Sequence, residues 1–171
     1  VTNINHLTKL EVLNVSMGEC ILPYQGIKKL NLKEIDVSYN PYIKTLNDFS
    51  QLRVLSARGK CGLTNQGISK LRELRDLDLT DNPTINKIGH LKKLRVLNAY
   101  GKDCVIDDNS IKTLNLHALD VTQNSNVTNI NHMSRLKILM ANGENCGMST
   151  VGIIMLRLKV IFADNNKKIK R

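Results

Sequence analysis

The apolar positions of the chain recur in a nine-residue frame, Leu-x-x-Leu-x-Leu-x-x-Asn, whose clearest copy is Leu32-Lys-Glu-Ile-Asp-Val-Ser-Tyr-Asn40. The frame returns from Leu74 to Asn82, from Leu116 to Asn124 and from Leu158 to Asn166, each copy 42 residues after the last. A weaker form lies between these copies, at Leu10-Glu-Val-Leu13-Asn-Val15, Leu52-Arg-Val-Leu55-Ser-Ala57, Leu94-Arg-Val-Leu97-Asn-Ala99 and Leu136-Lys-Ile-Leu139-Met-Ala141. Eight half-repeats therefore alternate between 22 and 20 residues. Within each, the alternation x-Leu-x-Leu-x predicts a short strand with one buried face. Successive strands run the same way, and crossovers between parallel strands are almost always right-handed.

The return legs differ between the two halves. In the shorter ones, Asn40 to Leu52 carries apolar residues at every third position, which predicts a 3₁₀-like or irregular path. In the longer ones, Gly26-Ile27-Lys-Lys-Leu30, Gly67-Ile68-Ser-Lys-Leu71 and Gly152-Ile153-Ile-Met-Leu156 have room for one helical turn. Ser110 replaces the glycine in the third unit, so a positive φ is not required there. Asn-Pro at 40–41 and 82–83 marks the turn off the strand.

The expected architecture is thus an α/β or mainly β solenoid over residues 1–171, with eight short strands in one curved parallel sheet, each layer touching only its neighbours. Val1-Thr-Asn-Ile4 is in phase with Ile43-Lys-Thr-Leu46, and Ile169 takes the place of Ile43, so both ends fall inside a turn. Neither end carries a polar capping repeat, and the expectation is a segment of a longer array, or ends that something else covers.

This frame resembles the leucine-rich repeat superfamily, and the shorter halves resemble its internalin-like short-repeat classes. The likeness extends over essentially the whole chain. The alternation of two repeat types, with cysteine displaced beyond the usual asparagine position, departs from the commonest pattern. High Asn and Lys usage is also similar to arrays from AT-rich genomes such as amoebae and their large DNA viruses. The resemblance implies a non-enzymatic protein that binds a partner through the concave face of its sheet.

Composition changes this picture little. Aromatics make up 4% and Trp is absent, so Leu, Ile and Val must build the core. A net charge of +10 raises nucleic acid or an anionic surface as partners, although the charge is spread through the repeats. No apolar run approaches the roughly 20 residues of a membrane-spanning helix. No phosphate loop, nucleophile elbow, His-Glu-x-x-His helix or CxxC pair is present, so neither an enzyme nor a cofactor is expected.

Cys20, Cys61, Cys104 and Cys146 follow the strand of each longer half at nearly the same phase, two strands or roughly 9–10 Å apart. A disulfide needs Cα atoms about 4.4–6.8 Å apart. Free, buried thiols are expected, and with them a reducing, intracellular setting, or a virion if the source is viral. A linear row cannot converge on a tetrahedral zinc ion. The sequons Asn14-Val-Ser16 and Asn126-Val-Thr128 matter only in a secreted chain.

The asparagines at frame position nine, Asn40, Asn82, Asn124 and Asn166, are expected to form a structural ladder, since an amide can both donate to and accept from backbone groups stranded at the strand end. His6, His90 and His132 share one phase, filled by Asp48 in the second unit, and are expected in solvent on the convex side. Frame positions three, five and seven point away from the core. Among them Glu34, Asp36, Asp76, Asp78 and Asp120 make the middle of the face acidic, with Arg58 and Tyr100 beside them and Met140 and Phe162 as an apolar end. These nine residues are the candidate partner-binding set, weighed against ordinary strand surface in which each Asp pairs with a neighbouring Lys or Arg. Position two is basic at Lys33, Arg53, Arg75, Arg95, Lys137 and Lys159. This rim supports the alternative function, a structural protein that binds nucleic acid or another anionic surface.

Overall fold

The computed structural model describes residues 3–17 and 22–170. The expectations placed on Val1, Thr2 and Cys20 lie outside these. Eight strands of three residues each, β1 (Val12–Asn14), β2 (Glu34–Asp36), β3 (Val54–Ser56), β4 (Asp76–Asp78), β5 (Val96–Asn98), β6 (Ala118–Asp120), β7 (Ile138–Met140) and β8 (Val160–Phe162), form one parallel sheet in sequence order. Every pairing matches frame position three to three, four to four and five to five, as in Glu34 beside Val54 and Ile35 beside Leu55. The strong and weak copies of the frame thus occupy the same place in successive turns of a parallel β-solenoid.

The core follows from the frame. Positions one, four and six turn inward, and Leu32, Ile35, Val37, Leu52, Leu55, Ala57, Leu74, Leu77 and Leu79 are all almost fully buried. Burying each large side chain stabilises by about 1.5–3 kcal/mol, so a single continuous apolar column carries the fold. At the last strand Ile161, also at position four, is 40% exposed, whereas Leu139 in the preceding strand is 0% exposed.

The period of three in the shorter halves has a direct backbone cause. The Phe49 amide donates to the Leu46 carbonyl and the Leu52 amide to the Phe49 carbonyl, and the same pair of turns recurs at Ile88–Leu91–Leu94 and Ile130–Met133–Leu136. Consecutive three-residue turns bring every third side chain inward without forming a regular helix. The longer halves do carry one helical turn, a 3₁₀ turn at Tyr24–Gly26 and Gln66–Ile68, then helices α1 (Asp108–Ile111) and α2 (Thr150–Ile153).

Glycine in these helical turns answers to space, as Ser110 suggested, because none of Gly26, Gly67 and Gly152 has a positive φ. A Cβ on Gly152 would run into the Thr128 carbonyl oxygen of the preceding turn. Ser110 is used differently: its amide and hydroxyl both donate to Asp107 Oδ1 and its Oγ accepts from the Asp107 amide, closing a capping box at the start of α1. These bonds, with the Ser110 side chain foremost, hold the Asp107 carboxyl below its usual range.

Candidate functional site

The asparagine ladder is made of buried, fully engaged amides. Asn82 Nδ2 donates to the Ala57 carbonyl at 2.6 Å and reaches Cys61 Sγ at 3.5 Å, while its Oδ1 accepts from the Thr84 and Ile85 amides, each at 2.9 Å. Asn40, Asn124 and Asn166 make the equivalent bonds to the carbonyls of Val15, Ala99 and Ala141. A second ladder on the opposite leg escapes the sequence reading, although three of its four slots at 42-residue spacing hold Asn, with Gly89 in the other. Asn5, Asn47 and Asn131 each donate to a carbonyl of the neighbouring helical turn and accept from an amide four residues further along it.

The thiols join the first ladder. Cys146 Sγ donates to the Val121 carbonyl at 3.3 Å and Cys61 Sγ to the Ala57 carbonyl at 3.7 Å. Cys61, Cys104 and Cys146 are buried and unpaired. Burial pushes the Cys104 thiol up to about 11, and it raises Cys61 and Cys146 in the same direction. The neutral thiol is therefore the native form; its contribution to stability is complete below the unfolded-state pKa of 9.0 and is lost as pH rises through about 11. In a Cys20→Ser variant, a thiol reagent at neutral pH should label none of the three until denaturant is added. Rapid labelling of the native chain would contradict their burial.

The histidine phase corrects an expectation. His6 and His132 are exposed as expected and only His90 is half-buried, but His90 Nε2 lies 3.1 Å from the Ile68 carbonyl oxygen and His132 Nε2 3.2 Å from that of Ile111. Asp48, in the same slot, accepts from the Tyr24 hydroxyl. This phase bridges adjacent turns. Among the described residues no cluster of three or more His, Cys, Asp or Glu could hold a metal ion.

On the open sheet face, pairing lines up Asp36, Ser56, Asp78, Asn98, Asp120, Met140 and Phe162 as one row across seven strands. The acids are half-buried, and each has one oxygen already committed. Asp36 Oδ1 accepts from the Ser38 amide, Asp78 Oδ1 from Thr80 and Asp120 Oδ1 from Thr122, at 2.8–2.9 Å. Asn14 and Asn98 do the same for Ser16 and Tyr100, so position five closes the strand end whichever of the two residue types fills it. The anticipated Asp–Lys or Asp–Arg pairing occurs in this row at Asp78, whose Oδ2 accepts from Arg58 Nε at 2.7 Å. Glu34 is exposed and Asp76 half-buried, one strand apart on either side of Val54. Tyr100 is exposed.

The apolar end of the face is larger than Met140 and Phe162 alone. Ile138 pairs with Val160 and Met140 with Phe162, so four apolar side chains form a block over β7 and β8. Ile138 and Val160 are each 39% exposed and Phe162 49%. Exposed Val96 and half-buried Ala118 continue the position-three row.

Position eight, just past the strand, is also constrained. All eight of its residues have a positive φ: Met17, Tyr39, Asp81, Gln123 and Asn165, and the glycines Gly59, Gly101 and Gly143. The three glycines recur every 42 residues, and this signal in the sequence passed unread. At each, the position-eight side chain of the preceding half-repeat lies where a Cβ would stand: the Tyr39 ring over Gly59, the Asp81 carboxylate over Gly101 and the Gln123 amide over Gly143.

Compared with models of known protein families the chain matches none, and no curated protein matches it. Among the described residues no helix is long and apolar enough to cross a membrane.

Proposed function

We propose that the chain is a right-handed leucine-rich repeat solenoid whose open sheet face is concave and recognises a protein partner without catalysing a reaction. The observation that carries this reading is the apolar block of exposed Ile138, Val160 and Phe162 with half-buried Met140, set on an in-register sheet and bordered by the half-buried acids. Apolar side chains grouped on a solvent face mark contact surfaces more often than single exposed ones do. The second oxygen of Asp36 and of Asp120 is available to orient a basic stretch of the partner, with Glu34, Asp76, Arg58 and Tyr100 at the margin. Three buried, unpaired thiols fit a reducing compartment.

The test begins by isolating a partner with the intact chain as bait and then compares variants in a quantitative binding assay. Phe162→Ala should weaken binding by about 2 kcal/mol or more, as expected of an aromatic anchor. Asp78→Asn, which alters an already satisfied side chain, should cost less. Both residues lie outside the core, so circular dichroism should be unchanged. If Arg75→Glu with Arg95→Glu abolishes binding while both face variants retain it, the face is not the interface.

A further inference from the structure

The basic rim is not uniform along the sheet. At its first strands Lys33 is paired with Glu11 at 2.5 Å. Further along, between β4 and β7, the rim folds into a concavity of about 250 Å³ lined by Arg75, Lys92, Lys93, Arg95, His117 and Arg135, with the buried Leu94 among its walls and no carboxylate lining it. The frame explains this convergence. Arg75, Arg95 and His117 stand at position two of three consecutive half-repeats, while Lys93 and Arg135 occupy the residue just before the frame. With strands in register and about 4.8 Å apart, side chains from neighbouring turns are brought within reach of one centre.

Charge balance separates this place from the rest of the rim. Lys93 Nζ lies 2.6 Å from Glu73 Oε1, and Glu73 is held below its usual range first by that bond, with smaller contributions from Arg75 and Arg53. Lys92, Arg75, Arg95 and Arg135 make no salt bridge among the described residues. Lys92 Nζ reaches only the Thr113 carbonyl, at 3.4 Å. Four cations whose charge no acid in the lining offsets thus face one small, partly enclosed volume, where their fields add. Asn115 lines the same concavity, but its amide is engaged with Ser134 Oγ and the Arg135 amide, which steadies the turn that carries Arg135.

We propose that this concavity binds a phosphate group carrying two negative charges, either as free phosphate or as a phosphomonoester. Guanidinium groups present paired donors that match phosphate oxygens, and three arginines around one centre suit a compact multivalent anion. A nucleic-acid diester is the poorer match. Its recognition needs a basic track and aromatic platforms, and no Tyr, Phe or Trp lines this volume. The site lies on the sheet edge, apart from the apolar block at β7 and β8, so it stands or falls independently of partner recognition there.

The test titrates inorganic phosphate, O-phosphoserine and a single-stranded oligonucleotide into the 171-residue protein, following arginine side-chain NMR signals and calorimetric heats. Phosphate and phosphoserine should each saturate one site and shift the signals of Arg75, Arg95 and Arg135. The stronger of the two identifies the source, free anion or monoester. Arg95→Gln with Arg135→Gln should weaken binding by about tenfold or more, equivalent to about 1.4 kcal/mol. Lys137→Gln with Lys159→Gln removes the same charge elsewhere on the rim and should leave binding within twofold or so of the parent. Equal losses in the two double variants would reduce the effect to overall charge and overturn the site. So would the absence of saturable binding by phosphate or phosphoserine. An oligonucleotide that binds more tightly than either, with affinity falling steeply as salt rises, would replace the pocket with a nucleic-acid track.

Discussion

Replacing Asn82 with Ala is expected to lower the melting temperature clearly, as truncation of any ladder asparagine should. The change removes the donor to the Ala57 carbonyl and the acceptor of the Thr84 and Ile85 amides, at a residue with no solvent exposure. The buried Ile85 amide and the part-buried Thr84 amide lose their acceptor, and the Ala57 carbonyl keeps only the Cys61 thiol, a loss of about 1–3 kcal/mol in all, so a chain of this size should melt about 2–12 °C lower. Asn82→Asp keeps both acceptor bonds but loses the donor and buries a charge, so it should also destabilise. Asn145→Ala, at an exposed position, is the control and should melt with the parent. Scanning calorimetry of the three variants decides the matter: an Asn82→Ala protein as stable as its parent would show that the ladder does not support the stack.

The second large effect is expected at Gly101. With φ at 105°, an L-residue here is strained, and a Cβ would enter the Asp81 carboxylate. Gly101→Ala should cost about 2–4 kcal/mol from strain and overpacking together. Adding Asp81→Ala removes the collision but not the strain, so the double variant should recover only part of the loss. Denaturant melts of the two single variants and the double variant separate the two causes. Full recovery would mean that collision alone selects glycine, and no loss at all would mean that neither matters.

Much of the fold was legible because the solenoid repeats one physical problem eight times. Leu and Ile at positions one, four and six announce the buried column, and the fixed 42-residue return gives the strand order and register without any knowledge of distant contacts. Asn82 could be assigned to a ladder because a polar residue in constant phase with buried leucines needs buried partners. Position eight was harder, since Met17, Tyr39, Asp81, Gln123 and Asn165 share a backbone conformation but no side-chain type. Only Gly59, Gly101 and Gly143 betray it. The face was read correctly as to direction but not as to occupation. That Asp36 points outward follows from alternation, whereas its bond to the Ser38 amide depends on where the chain turns after the strand. The basic concavity depends on which acids are missing around Arg75, Arg95 and Arg135. Position in the frame does not report that.

The alternation at position eight sets the step by which such a chain can lengthen or shorten. A side chain from each 20-residue half lies over the glycine of the 22-residue half that follows, at Tyr39 and Gly59, at Asp81 and Gly101, and at Gln123 and Gly143. Losing one half-repeat after Tyr39 would set two side chains in succession, as Met17 and Tyr39 already stand, or two glycines of which the second has no side chain over it. Losing or duplicating a whole pair restores every contact. Growth by whole pairs of 42 residues therefore keeps every one of these contacts, whereas an odd half-step breaks one of them.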